Sequence, residues 1–324
     1  PEECRFQAGS PRPSKLGKGM TRDTTLQGVL LMLAFCVLAP LLDVSAKLAA
    51  EDGVPVGQVT FARFAVQTAL MLPVMCLMGL GLGLSPRALA YTCLRALFLL
   101  VSTYAFVSGI QVMPIADALA IVFVEPFILL ILGHFIFGDQ VGPRRIAACA
   151  VGFGGALLVI QPSLAAFGLV ALWPLATAFL FAFYMLVTRA MSAWMHPVAM
   201  QFHTSWTGLL MCLPVMVLAN GSGIPSLDPI WPEGWNWLWL FGVGFWAAVS
   251  HMCMTYALKY APSATLAPLH YSEIVTAVIL GYLIFGDFPN AMTWAGILVI
   301  VSSGLYIIHR ERLQARINRQ AQAT

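Results

Sequence analysis

Ten apolar stretches of about the length of a bilayer crossing follow one another along the chain, at residues 28–49, 57–79, 88–110, 115–137, 144–161, 166–188, 197–219, 235–258, 263–285 and 291–309. A helix needs about 20 residues to cross the hydrocarbon layer, so ten crossings leave room only for short loops and two tails in 324 residues. Composition agrees: 60% of residues are hydrophobic and 10% charged, where soluble domains carry about 25% charged residues. A soluble enzyme, a nucleic-acid binder and a disordered chain are excluded. The expected fold is an all-α integral membrane protein.

The Lys and Arg of the loops orient it. Arg22, Arg87, Arg144, Arg145, Arg189, Lys259 and the basic tail 310–324 all fall on one side, while the opposite loops 50–56, 220–234 and 286–290 carry only acids. Both termini are therefore expected in the cytoplasm, which requires an even number of crossings. Residues 1–27 form the N-terminal tail, and the polar stretch 1–19 before Met20 reads as an upstream extension. Trp231, Trp235, Trp237 and Trp239 cluster where the longest outer loop enters a helix, as an interfacial aromatic belt does.

Residues 111–139 and 259–287 align without a gap, with ten identities in 29 positions. Pro114 matches Pro262, Glu125 matches Glu273, and Phe137-Gly138-Asp139 matches Phe285-Gly286-Asp287. Leu72-Pro73-Val74-Met75 likewise recurs as Leu213-Pro214-Val215-Met216. The chain thus divides into two five-helix repeats, 28–161 and 166–309. An odd number of crossings per repeat inverts one against the other. Inverted repeats serve alternating access around a midplane site, so transport is the expected class.

An ionisable group inside the bilayer costs about 2.5–3.5 kcal/mol on insertion scales and marks function by default. Glu125 and Glu273 lie near the centres of equivalent segments and are the first candidates for a central substrate site. Arg63, with Gln67 four residues on, needs a buried partner such as Asp43, Glu125 or an anionic substrate group. His270 and Tyr271 stand beside Glu273. Asp43 and Lys47, four apart on one helix face, are expected to form a supporting pair or an outer gate. Arg95 reads as snorkelling to the cytoplasmic interface, with a substrate or inner-gate role as the alternative, and Asp117 as complementing a helix N-terminus. Pro126, next to Glu125, suggests a kink.

Other chemistry is missing from the pattern. The histidines are scattered without HExxH spacing, the cysteines stand singly in apolar stretches, and Gly152, Gly154 and Gly155 lie in an apolar helix rather than a nucleotide loop. No metal or cofactor is expected, and no enzyme.

The duplicated segment, with its Pro-x-Ala starts at Pro114 and Pro262 and its Phe-Gly-Asp ends, resembles the EamA-type transporters of the drug/metabolite transporter superfamily. The resemblance spans 28–309. It implies ten helices in two inverted five-helix repeats, and proton- or gradient-linked movement of a small organic solute across the bacterial inner membrane. Leu42-Asp43-x-x-Ala46-Lys47, Phe61-x-Arg63-Phe64 and Ala267-Pro268-x-x-Tyr271-x-Glu273 look like the branch holding bacterial riboflavin importers and S-adenosylmethionine uptake carriers. Riboflavin uptake is the expected activity, with S-adenosylmethionine uptake, or export of amino acids or drugs on the same fold, as alternatives.

Overall fold

The computed structural model describes residues 22–137, 143–192, 194–260, 269–270 and 272–321, and all regular structure among them is helical. Seven stretches among the described residues are long and apolar enough to cross a membrane: Leu26–Glu51, Val56–Leu77, Pro86–Ile110, Ile115–Gly133, Ser163–Ser192, Pro197–Ala219 and Asn236–Ala257. The shorter apolar stretches Glu273–Phe285 and Ala291–Ser303 follow.

The helices are α1 (Arg22–Glu51), α2 (Val56–Leu77), α3 (Pro86–Ile110), α4 (Ile115–Val122), α5 (Glu125–Phe137), α6 (Pro143–Phe167), α7 (Leu172–Ser192), α8 (Pro197–Ala219), α9 (Asn236–Tyr260), α10 (Glu273–Leu280) and α11 (Ala291–Ala321). Their starts follow local chemistry. Ser85 caps α3 by accepting a hydrogen bond from the Ala88 N–H at 3.2 Å, and Pro86 and Pro197 open α3 and α8, where proline's missing N–H costs nothing. Asp117 lies in the first turn of α4, as its expected pairing with the helix dipole requires.

The stretch 115–137, expected as one helix, is two. The ladder tightens at Phe123 and Val124, where the Val124 N–H bonds back to Ile121 and the Phe127 N–H to Val124. Glu125 then begins α5, with Pro126 at its second position, where proline fits a first turn. The expected kink is thus a full break. A similar irregularity precedes α10, where the Ser272 N–H and its hydroxyl both bond to the Leu269 carbonyl and Glu273 is the first helical residue. The repeat-equivalent glutamates each open a helix immediately after a break.

Helices pack in definite pairs: α1 against α9, α3 against α7, α6 against α11, and α2 against α8 and α9. Glycines permit the closest approaches. A Cβ on Gly244 of α9 would meet Val66 and the Arg63 carbonyl of α2, and one on Gly242 would meet Ser45 of α1. The long loop after α8 is strapped onto α2, with the Gln58 amide donating to the Ile230 carbonyl at 2.9 Å and accepting from its N–H at 3.0 Å. Trp231, Trp235 and Trp237 remain exposed at this rim.

Candidate functional site

The core holds a cavity of about 90 Å³. Helix α1 contributes one stripe to it, Phe35, Ala39, Leu42 and Asp43; α3 contributes Leu99, Ser102, Thr103, Phe106 and Val107. Both sets follow the three- and four-residue spacing that keeps side chains on one helix face. Arg63 enters from α2, Thr177 and Phe181 from α7, and His251 from α9. Phe123, Glu125, His270 and Glu273 stand at the two breaks.

The polar side chains here are buried. Asp43, Arg63, Glu125 and Glu273 are each at most 6% exposed. Arg63 donates to the Thr103 hydroxyl, and its Nη2 lies 3.1 Å from His251 Nε2. As a guanidinium has no acceptor, His251 accepts at Nε2 and keeps its ring proton on Nδ1, 3.4 Å from the Ser250 hydroxyl. The Arg63 Nε and the Glu125 Oε1 have no hydrogen-bond partner among the described residues. His270 Nε2 lies 3.0 Å from Glu273 Oε2, and the His270 ring packs against Phe35 and Phe123 at centroid distances of 5.4 and 6.0 Å. The arrangement offers hydrogen-bond donors, carboxylate acceptors and phenylalanine walls around one space.

Arg63, Glu125, His270 and Glu273 thus line one cavity. Tyr271 lies outside the described residues. Gln67 does not line the cavity; it is fully buried one turn beyond Arg63, and neither amide atom has a hydrogen-bond partner among the described residues. The expected Asp43–Lys47 pair does not form. Asp43 turns into the cavity, while Lys47 lies 3.2 Å from Asp287 and 3.8 Å from Glu51, because carboxylates nearer the helix end are within its reach. Arg95 does not snorkel either. It is fully buried, and it donates to Thr188, Tyr184, Thr204, Gln201 and the Met200 carbonyl. With so many acceptors on α7 and α8, it has no need of the interface.

Sequence reasoning missed Ser102, Thr103, Thr177 and His251. His251 carried one signal, a polar ring in an apolar run, but so did His134 and His203. Its partner Arg63 is 188 residues away, beyond any local spacing.

An all-helical membrane chain with a polar cavity in its core has the form of a solute carrier, and family comparison agrees. The model of the EamA-like transporter family matches residues 26–161 and again 168–309. The chain belongs to that family, and it is a multi-pass membrane transporter. Among curated relatives, a riboflavin transporter of Rhizobium johnstonii is 30% identical over 65% of this chain and 68% of its own. A riboflavin transporter of Vibrio cholerae is 25% identical over 91% and 97%. An S-adenosylmethionine uptake transporter of Rickettsia prowazekii is 24% identical over 79% and 83%. A solved crystal structure shares the fold with a TM-score of 0.63, at 17% identity over 87% of this chain and 95% of that one.

Proposed function

We propose that the chain imports riboflavin across a bacterial inner membrane by alternating access of two inverted five-helix repeats around the central cavity. The observation that carries this reading is the convergence of Arg63, Glu125, His270 and Glu273 on one cavity walled by Phe35, Phe106, Phe123 and Phe181. Riboflavin has a flat tricyclic ring, carbonyl acceptors on one edge and a polyhydroxyl tail. Phenylalanine faces suit the ring, the Arg63 guanidinium suits the carbonyl edge, and Glu125 and Glu273 accept hydrogen bonds from hydroxyls. Relatives that carry the riboflavin name cover most of this chain's length, which supports the substrate.

The packing pattern supports the inverted repeat. Exchanging the two halves converts the α1–α9 pairing into α3–α7 and leaves α2–α8 and α6–α11 unchanged. Ten crossings follow if 28–161 and 166–309 each hold five, and the two family matches support that division. A cavity of 90 Å³ is smaller than the roughly 300–1,000 Å³ of small-molecule sites, so substrate entry requires the repeats to part. Glu125, Glu273 and His270 are the groups placed to couple this movement to protons.

S-adenosylmethionine is the second reading. It is favoured by three carboxylates, Asp43, Glu125 and Glu273, around a single arginine, a set suited to a sulfonium cation. Uptake of labelled riboflavin by an auxotrophic bacterium expressing the chain tests both. Saturable uptake indifferent to excess S-adenosylmethionine supports the first reading; uptake of labelled S-adenosylmethionine alone supports the second.

A further inference from the structure

Lys47 is 4% exposed, and its ammonium ties three segments together. It donates to the Met113 carbonyl at 3.0 Å in the turn between α3 and α4, and to Asp287 Oδ2 at 3.2 Å beyond α10. It also stands 4.7 Å from the centroid of the Phe285 ring. Each residue of the Phe285-Gly286-Asp287 signature takes part. Gly286 has φ +72°, a left-handed conformation that glycine adopts without cost. The chain reverses there, so Phe285 and Asp287 both reach the same ammonium.

The position of this knot is informative. Four residues inward along α1, about 6 Å of helix rise, Asp43 lines the central cavity. On the other side lies a second, polar space of about 580 Å³ bordered by Lys47, Glu51, Pro114, Phe167, Phe285 and Asp287. The ammonium and its partners therefore stand between this second space and the stretch of α1 that lines the cavity. Asp287 and Glu51 keep 31% and 43% of their side chains exposed, so the pair can separate into water. A permanent packing contact at this depth would be made more cheaply by apolar side chains.

We propose that the Lys47–Asp287 ion pair is the outer gate of the transport path, closing the cavity against the second space, with Phe285 and the Met113 carbonyl as its seat. The gate extends the transporter reading but does not depend on riboflavin as substrate, and its test uses none. Leu42, which lines the cavity, is replaced by cysteine in the full chain with all native cysteines changed to alanine. Intact cells are treated with a membrane-impermeant thiol reagent. Lys47→Ala or Asp287→Asn is expected to accelerate modification about tenfold, the response to a population shift of that size. The exchanged pair Lys47→Asp with Asp287→Lys is expected to bring the rate back toward the parent. Asp287→Asn preserves size, so it reads the gate where Lys47→Ala fails to fold. Unchanged rates in both single variants overturn the proposal. So does acceleration seen only when the reagent reaches the cytoplasmic face in inverted vesicles.

Discussion

Arg63 and His251, 188 residues apart in sequence, meet at 3.1 Å between α2 and α9. Each fixes the other: the guanidinium sets the histidine tautomer, and the imidazole holds the arginine fork toward Thr103. The contact depends on Gly244, which lets α9 approach the Arg63 backbone.

His251→Gln retains an acceptor for Arg63, and His251→Leu removes it. Uptake is expected to survive the first and fall about tenfold or more in the second, the loss that accompanies an unpaired buried donor. Initial rates at matched membrane expression check this.

Gly244→Leu forces side-chain atoms into Val66 and the Arg63 carbonyl. Overpacking costs about 1–3 kcal/mol, so the midpoint of detergent-induced unfolding should drop. Gly154→Leu, where a Cβ meets nothing within 4 Å, should leave it in place.

Arg95→Leu takes the guanidinium donor away from Tyr184, Thr188, Thr204 and Gln201. Interhelical hydrogen bonds in membranes average about 0.6 kcal/mol, so the four together predict a loss of about 2 kcal/mol in the same assay. Arg95→Lys should recover only part of it, because an ammonium cannot reproduce the planar fork.

Glu273→Gln removes a charge from the pair with His270 while keeping the shape. If the pair carries the coupling proton, the variant should still exchange labelled for unlabelled riboflavin in counterflow. It should no longer accumulate riboflavin under an imposed proton gradient. Vesicle uptake with and without a protonophore separates the two.

The helices and the glutamates were legible because each leaves a local mark. Apolar runs give the limits of α2, α3, α8 and α9 to within two residues, while α11 continues past the expected 309 to Ala321, and the gapless duplication brings Glu125 and Glu273 into register. The break at Phe123–Val124 was marked only as a kink at Pro126, since a run of Ile, Val and Phe reads the same whether its backbone is continuous or interrupted. Proximity across the chain was equally hidden. Four-residue spacing suggested Asp43 for Lys47, but tertiary packing supplied Asp287, 240 residues away. Arg95 was misread for a related reason: sequence shows the distance to the interface, not the acceptors that α7 and α8 bring.

The central claim is that the cavity beside Arg63, Glu125 and Glu273 holds the substrate, and riboflavin's own fluorescence offers the most direct measurement. Purified protein in detergent should quench it saturably, and Arg63→Ala and Glu273→Gln should each weaken binding about tenfold, as loss of a buried charged hydrogen bond does. Quenching that is saturable yet identical in both variants would contradict the account and move the site elsewhere in the chain.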